Sequence, residues 1–163
     1  MNSGNQLLSI AAIFLLQLLI LNSNKYNIER MLMKNTNSAV IGASSVAQSI
    51  IEEIQNKAFD EKTISKPILD DANLTDLPYL GPDTGEMANT QFDDIDDYNG
   101  YQKHVDLPSA EGYDVSCKVN YVDSDGNDLG IQSFYKKVTI TVTSKYMRDS
   151  FYMSFIFSLH SKN

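Results

Sequence analysis

Residues 7–21 read LLSIAAIFLLQLLIL, and no charged side chain precedes Lys25. The run is carried by Leu7, Leu8, Ile10, Ile13, Phe14, Leu15, Leu16, Leu18, Leu19, Ile20 and Leu21, with Ser9 and Gln17 as its polar interruptions. At about 1.5 Å per residue a helix carries such a run over roughly 22 Å, and the uncharged flanks, residues 5–24, extend it toward the roughly 30 Å of hydrocarbon in a bilayer. A helix apolar on every side has no stable place on the wet surface of a monomer, so this one is expected in a membrane or among other helices. A secretory signal peptide fits less well, since its basic n-region and small-residue cleavage site are not evident. A plain transmembrane anchor and a helix that also packs in an assembly both account for the run itself.

The residues beyond Leu21 separate these two readings. No Pro or Gly interrupts the chain until Gly42, and apolar residues keep helical spacing at Ile28, Met31, Leu32, Val46, Ile50, Ile54 and Ala58. Lys34, Ser45, Gln48, Glu52, Glu53, Gln55 and Lys57 fall on the opposite face. Asn35, Thr36, Asn37 and Ser38 compete for backbone hydrogen bonds, so a bend or local melting is expected there. The simplest expectation is one helix over residues 5–58, apolar throughout in 5–24 and amphipathic in 25–58. An anchor needs no such extension, whereas a helix that both packs in a filament and carries a head does.

Residues 59–163 are expected to form that head. Up to about Ser109 the sequence is punctuated by Pro67, Pro78, Gly81-Pro82, Gly85 and Pro108, a long connection that must pack down or carry function. Within it stands Phe92-Asp93-Asp94-Ile95-Asp96-Asp97-Tyr98-Asn99-Gly100-Tyr101. Phe92, Ile95, Tyr98 and Tyr101 recur every three residues and are expected to dock one side of a short helical turn. The carboxylates of Asp93, Asp94, Asp96 and Asp97 repel one another unless solvated or bridged by a cation. A solvated acidic face is the expectation, and a Ca²⁺ ion on these four side chains is the alternative.

Three strands are legible beyond this point. Over 113–121, Tyr113, Val115, Cys117, Val119 and Tyr121 alternate with polar residues, and Val138, Ile140 and Val142 alternate with threonines over 133–144. Over 150–160, Phe151, Met153, Phe155, Phe157 and Leu159 share a face, leaving His160 on the polar one. Short links predict an antiparallel meander with one apolar face, covered by the amphipathic half of the helix. The fold class is therefore α+β: a long N-terminal helix packed on a three-stranded antiparallel sheet.

Candidate chemistry is sparse. The turn at Asp123-Ser124-Asp125-Gly126-Asn127-Asp128 opens like a calcium loop, but its glycine comes too early and Phe134 stands where a bidentate Glu is needed, so a hairpin turn is expected. Cys117, the sole cysteine, lies on an apolar strand face and reads as packing. His104 and His160 have no Cys, His and acid grouping in sequence. The net charge of −8, with Lys136-Lys137 the only adjacent basic pair, argues against a nucleic-acid partner. Enzymatic activity is not expected, nor is any cofactor apart from the alternative calcium ion.

Three features belong together: Met1-Asn2-Ser3-Gly4 ahead of the apolar helix; Ile50-Ile51-Glu52-Glu53-Ile54 followed by Ala58-Phe59-Asp60; and the acidic motif followed by Tyr135-Lys136-Lys137-Val138-Thr139-Ile140-Thr141-Val142-Thr143. In combination they resemble the type IV pilin-like family, and the last pairing is similar to that of minor pilins of the mannose-sensitive haemagglutinin type. The resemblance implies a short leader at residues 1–4, cut by prepilin peptidase between Gly4 and Asn5. Ser9 then falls at the fifth mature position, where most pilins carry Glu; its hydroxyl is able to bond its own helix backbone instead. The resemblance also implies storage in the inner membrane, then assembly with further copies and other pilin-like subunits into a helical filament on the cell surface. A minor pseudopilin of a secretion pump and a membrane-anchored calcium-binding module are the alternatives.

Overall fold

The computed structural model describes residues 3–107 and 110–159. Met1 and Asn2 of the expected leader, and His160 of the expected last strand, lie outside the described residues. The chain divides into two compact units, Met1–Ser38 and Ala39–Asn163. Helix α1, Ser3–Ile54, contributes to both. The expected weak point at 35–38 stays helical, Thr36 Oγ1 donating back to the Leu32 carbonyl at 3.0 Å.

In the first unit no described side chain is buried. Ile28, Met31 and Leu32, expected on an amphipathic face, are exposed there. Burial starts at Ala39 and follows helical spacing through Gly42, Ala43, Val46, Ala47, Ile50, Ile51 and Ile54. The helix also stops sooner than expected, at Ile54 rather than at 58. Asn56 donates its side-chain amide to the Glu52 carbonyl at 2.7 Å, and the Ala58 N–H donates to the Asp93 carbonyl, which takes the backbone out of the helical path.

The second unit is an α+β layer pair. Its sheet has four strands rather than the three expected: β1 Gln102–Leu107, β2 Ala110–Tyr121, β3 Tyr135–Ser144 and β4 Phe151–Ser158, antiparallel and in chain order. Strand β1 escapes sequence reading because it is an edge strand whose Gln102, Lys103 and His104 are all exposed, leaving only Val105 and Leu107 to mark a period. The core joins the buried face of α1 to Tyr113, Val115, Cys117 and Val119 of β2 and Val138, Ile140 and Val142 of β3. On β4, Phe151, Met153 and Phe157 pack against this core, as does Leu159 just beyond it, but Phe155 is 42% exposed at the rim of an open groove.

Small residues let α1 lie close on the sheet. A Cβ on Gly42 would come 2.2 Å from the Tyr113 hydroxyl, and that hydroxyl donates to the Ala39 carbonyl at 3.2 Å. Between α1 and β1 the chain forms the short helix α2, Glu61–Ser65, and three 3-10 turns, Asp71–Asn73, Leu77–Tyr79 and Asp96–Tyr98.

Candidate functional site

Two features of the described residues are candidates for a functional role. The first is the apolar run in α1. Its large apolar side chains, from Leu7 to Leu21, are each between 49% and 70% exposed, with none sheltered by the rest of the chain. Burying one such side chain is worth about 1.5–3 kcal/mol, so the exposed run is costly to leave in water. The helix is long and apolar enough to cross a membrane. Gly4 and Asn5 lie in its first turns, and Ser9 Oγ donates to the Asn5 carbonyl at 2.9 Å, the expected local bond.

The second is the acidic segment. Its aromatics dock as their spacing predicts: Phe92, Tyr98 and Tyr101 form an edge-to-face trio with centroids 5.1–5.8 Å apart, and the Tyr98 hydroxyl donates to Glu53 of α1 at 2.8 Å. Ala58 and Asp94 form a parallel bridge, and the Cys117 N–H donates to the Tyr101 carbonyl, so the segment is tied both to the end of α1 and to β2.

The expectation of a solvated acidic face is overturned. Asp94, Asp96 and Asp97 are buried, and only Asp93 faces water. Two of the buried carboxylates are spent on backbone N–H groups. Asp94 Oδ1 accepts from Asp96 and Asp97, while Asp97 Oδ2 accepts from Asp93 and Asp94. The third, Asp96, meets a cation from the protein itself, Lys136. Its ammonium is fully buried and donates to Asp60 Oδ2 at 2.8 Å, to the Phe59 carbonyl at 2.8 Å and to Asp96 Oδ1. The rings of Phe59 and Tyr121 flank it, with centroids 4.7 and 5.1 Å away.

Asp60 is the most heavily bonded of these groups. Its side chain caps α2 through the Lys62 N–H, accepts from both the backbone and the hydroxyl of Thr75, and takes the Tyr121 hydroxyl at 3.0 Å. Burial alone would raise its carboxyl, but Lys136 and the backbone bonds from Thr75 and Lys62 outweigh that and hold it below the ordinary value. Asp94 and Asp96 go the other way. Burial, with Asp96 and Asp97 nearby, pushes Asp94 up to about 8, and burial pushes Asp96 up to about 6 against the pull of Lys136. Asp94 Oδ2 and Asp96 Oδ2 are buried without a hydrogen-bond partner.

The calcium alternative needs Asp93, Asp94, Asp96 and Asp97 to converge, and they do not. Among the described residues the carboxylates that gather within 4.8 Å are Glu86, Asp93 and Asp97, while Asp96 turns to Lys136. Three carboxylates, with Asp97 already holding two N–H groups, fall short of the six or more oxygens that Ca²⁺ takes. Cys117 is buried with its thiol pushed up to about 12, as inert packing requires. The 123–128 segment is a turn: Asp123 Oδ1 accepts from the N–H groups of Asp125 and Asn127, and Gly126 takes a φ of +85°. His104 lies on the surface between Asp114 and Asp106.

Sequence reasoning missed Lys136 and Asp60. Strand parity was the available signal for the lysine: residue 136 shares a face with Val138, Ile140 and Val142, and a charge on that face must find a buried counter-charge. No known family, curated protein or solved structure matches the chain.

Proposed function

We propose that the chain is a structural subunit of a type IV pilin-like filament, held in the inner membrane by residues 7–21 and assembled through the same surface into an extracellular helical fibre. The observation that carries this reading is the continuity of α1. One helix has an N-terminal part exposed and apolar all round, and a C-terminal part that is the core helix of an α+β head. An anchor alone has no need for 52 unbroken helical residues ending inside a domain core. Lipid tails are as apolar as leucine, so passage of this helix from bilayer to filament costs little hydrophobic free energy. Head contacts and helix packing are then free to decide assembly. Its partners are further copies of itself and other pilin-like subunits, and its role is architectural rather than catalytic.

Immunogold labelling of negatively stained fibres sheared from the cell surface tests the reading. Gold along the length of the fibres is the expected result. A chain found wholly in the membrane fraction, with fibres unlabelled, contradicts it.

A further inference from the structure

We propose that Lys136 and Asp96 condense into an intramolecular isopeptide bond, a covalent cross-link between β3 and the acidic turn. This inference is independent of the filament reading and rests on three features of the buried cluster.

The first is contact in the absence of water. Lys136 Nζ is hydrogen-bonded to Asp96 Oδ1, and the two side chains are 0% and 4% exposed. Holding an amine and a carboxyl together in one pose raises their effective concentration by many orders of magnitude over free reactants. The second is the state of Asp96. Its Oδ2 is buried with no partner, so nothing stabilises a charge on that oxygen. Burial accordingly pushes this carboxyl up to about 6. Nζ is already hydrogen-bonded to Asp96 Oδ1, and one proton passed along that bond makes Oδ1 the acid hydroxyl and leaves a lone pair on Nζ. The third is a base in place. Asp60 Oδ2 accepts from Nζ at 2.8 Å, and Lys136 together with the backbone bonds from Thr75 and Lys62 holds its carboxyl below the ordinary value. The same bonds make Asp60 a poor electrophile, which is why Asp96 is the carboxyl consumed.

The step balances without an added reagent. The Nζ lone pair attacks Asp96 Cγ and the Nζ–Cγ bond forms. Asp60 takes a second proton from Nζ and hands it to Asp96 Oδ1, which already carries the first, and the Cγ–Oδ1 bond breaks while Oδ2 stays as the amide carbonyl. The amine hydrogen and the acid hydroxyl leave as one water, and no electrons are gained or lost. A neutral amide then replaces a buried ion pair, removing two charges whose desolvation is costly. The bond ties together the two segments that hold the end of α1, through Ala58 and through Phe59.

Intact-mass spectrometry of the full-length chain under denaturing conditions, followed by peptide mapping, tests this. The chain should be lighter than its sequence by one water, with the peptide containing Asp96 joined to the peptide containing Lys136. Lys136→Arg, which keeps the charge without the nucleophilic amine, should show the full sequence mass. A wild-type chain at full mass overturns the proposal. So does a lost water that maps within one peptide, as a succinimide at Asp125-Gly126 would give, or one that persists in Lys136→Arg.

Discussion

Asp94 turns a packing motif into a pH-responsive one. Its carboxyl is pushed up to about 8 from an ordinary 3.8, so over that interval the folded chain holds a proton that the unfolded chain has released. The stability this proton confers is complete below the ordinary value and is lost as pH rises through the folded one. Asp60, held below its ordinary value, contributes in the opposite sense and loses its contribution at the acid end. Thermal melts should therefore give a lower midpoint at about pH 9 than at about pH 5, by on the order of 10 °C. Asp94→Asn keeps the acceptor oxygen that caps Asp96 and Asp97 but cannot titrate, and it should remove most of that slope. An unchanged slope in Asp94→Asn would mean that this carboxyl does not carry the linkage. The aromatic spacing of the acidic motif was legible in the sequence, because periodicity reports which side chains share a face. The fate of its carboxylates was not, because their counter-charge, Lys136, lies forty positions beyond Asp96 and only folding brings the two together.

At the scale of elements, α1 and the β2–β3 pair follow from pattern alone, since long runs of period 3.6 and period 2 leave little freedom. Strand β1 and the point where α1 begins to be buried were not legible, for tertiary reasons. An edge strand needs few apolar residues, and burial along a helix depends on where its partner sheet lies rather than on its own periodicity. Gly42 shows the second effect most plainly: its value lies in the missing Cβ, which would meet the Tyr113 hydroxyl at 2.2 Å and Leu107 at 3.3 Å. Gly42→Ala gains about 1 kcal/mol in helix propensity yet forces apart two packed elements, which typically costs about 1–3 kcal/mol. A net loss of stability is expected in urea denaturation. The loss should be smaller in a Tyr113→Phe background, where the clashing oxygen is gone, so a double-mutant cycle should show coupling between the two positions. Additive effects would place the origin of the loss elsewhere.

Across the whole molecule, the two units divide the work. The second unit holds a packed core and a buried ionic cluster, while the described residues of the first, 3–38, are exposed helix, much of it apolar. In the filament proposed above, a bundle of its own copies would offer this segment the same apolar surroundings as a bilayer. Ser9 fits this use, because its hydroxyl is satisfied within the helix and no buried charge at that point needs a partner from a neighbouring subunit. Cryo-electron microscopy of fibres sheared from the cell surface, with helical reconstruction, bears on this most directly. Residues 7–21 of successive copies should form the central helical bundle, with the α+β heads on the outside. A fibre whose core is built from other chains, or one in which residues 7–21 face solvent, would contradict assembly through this helix.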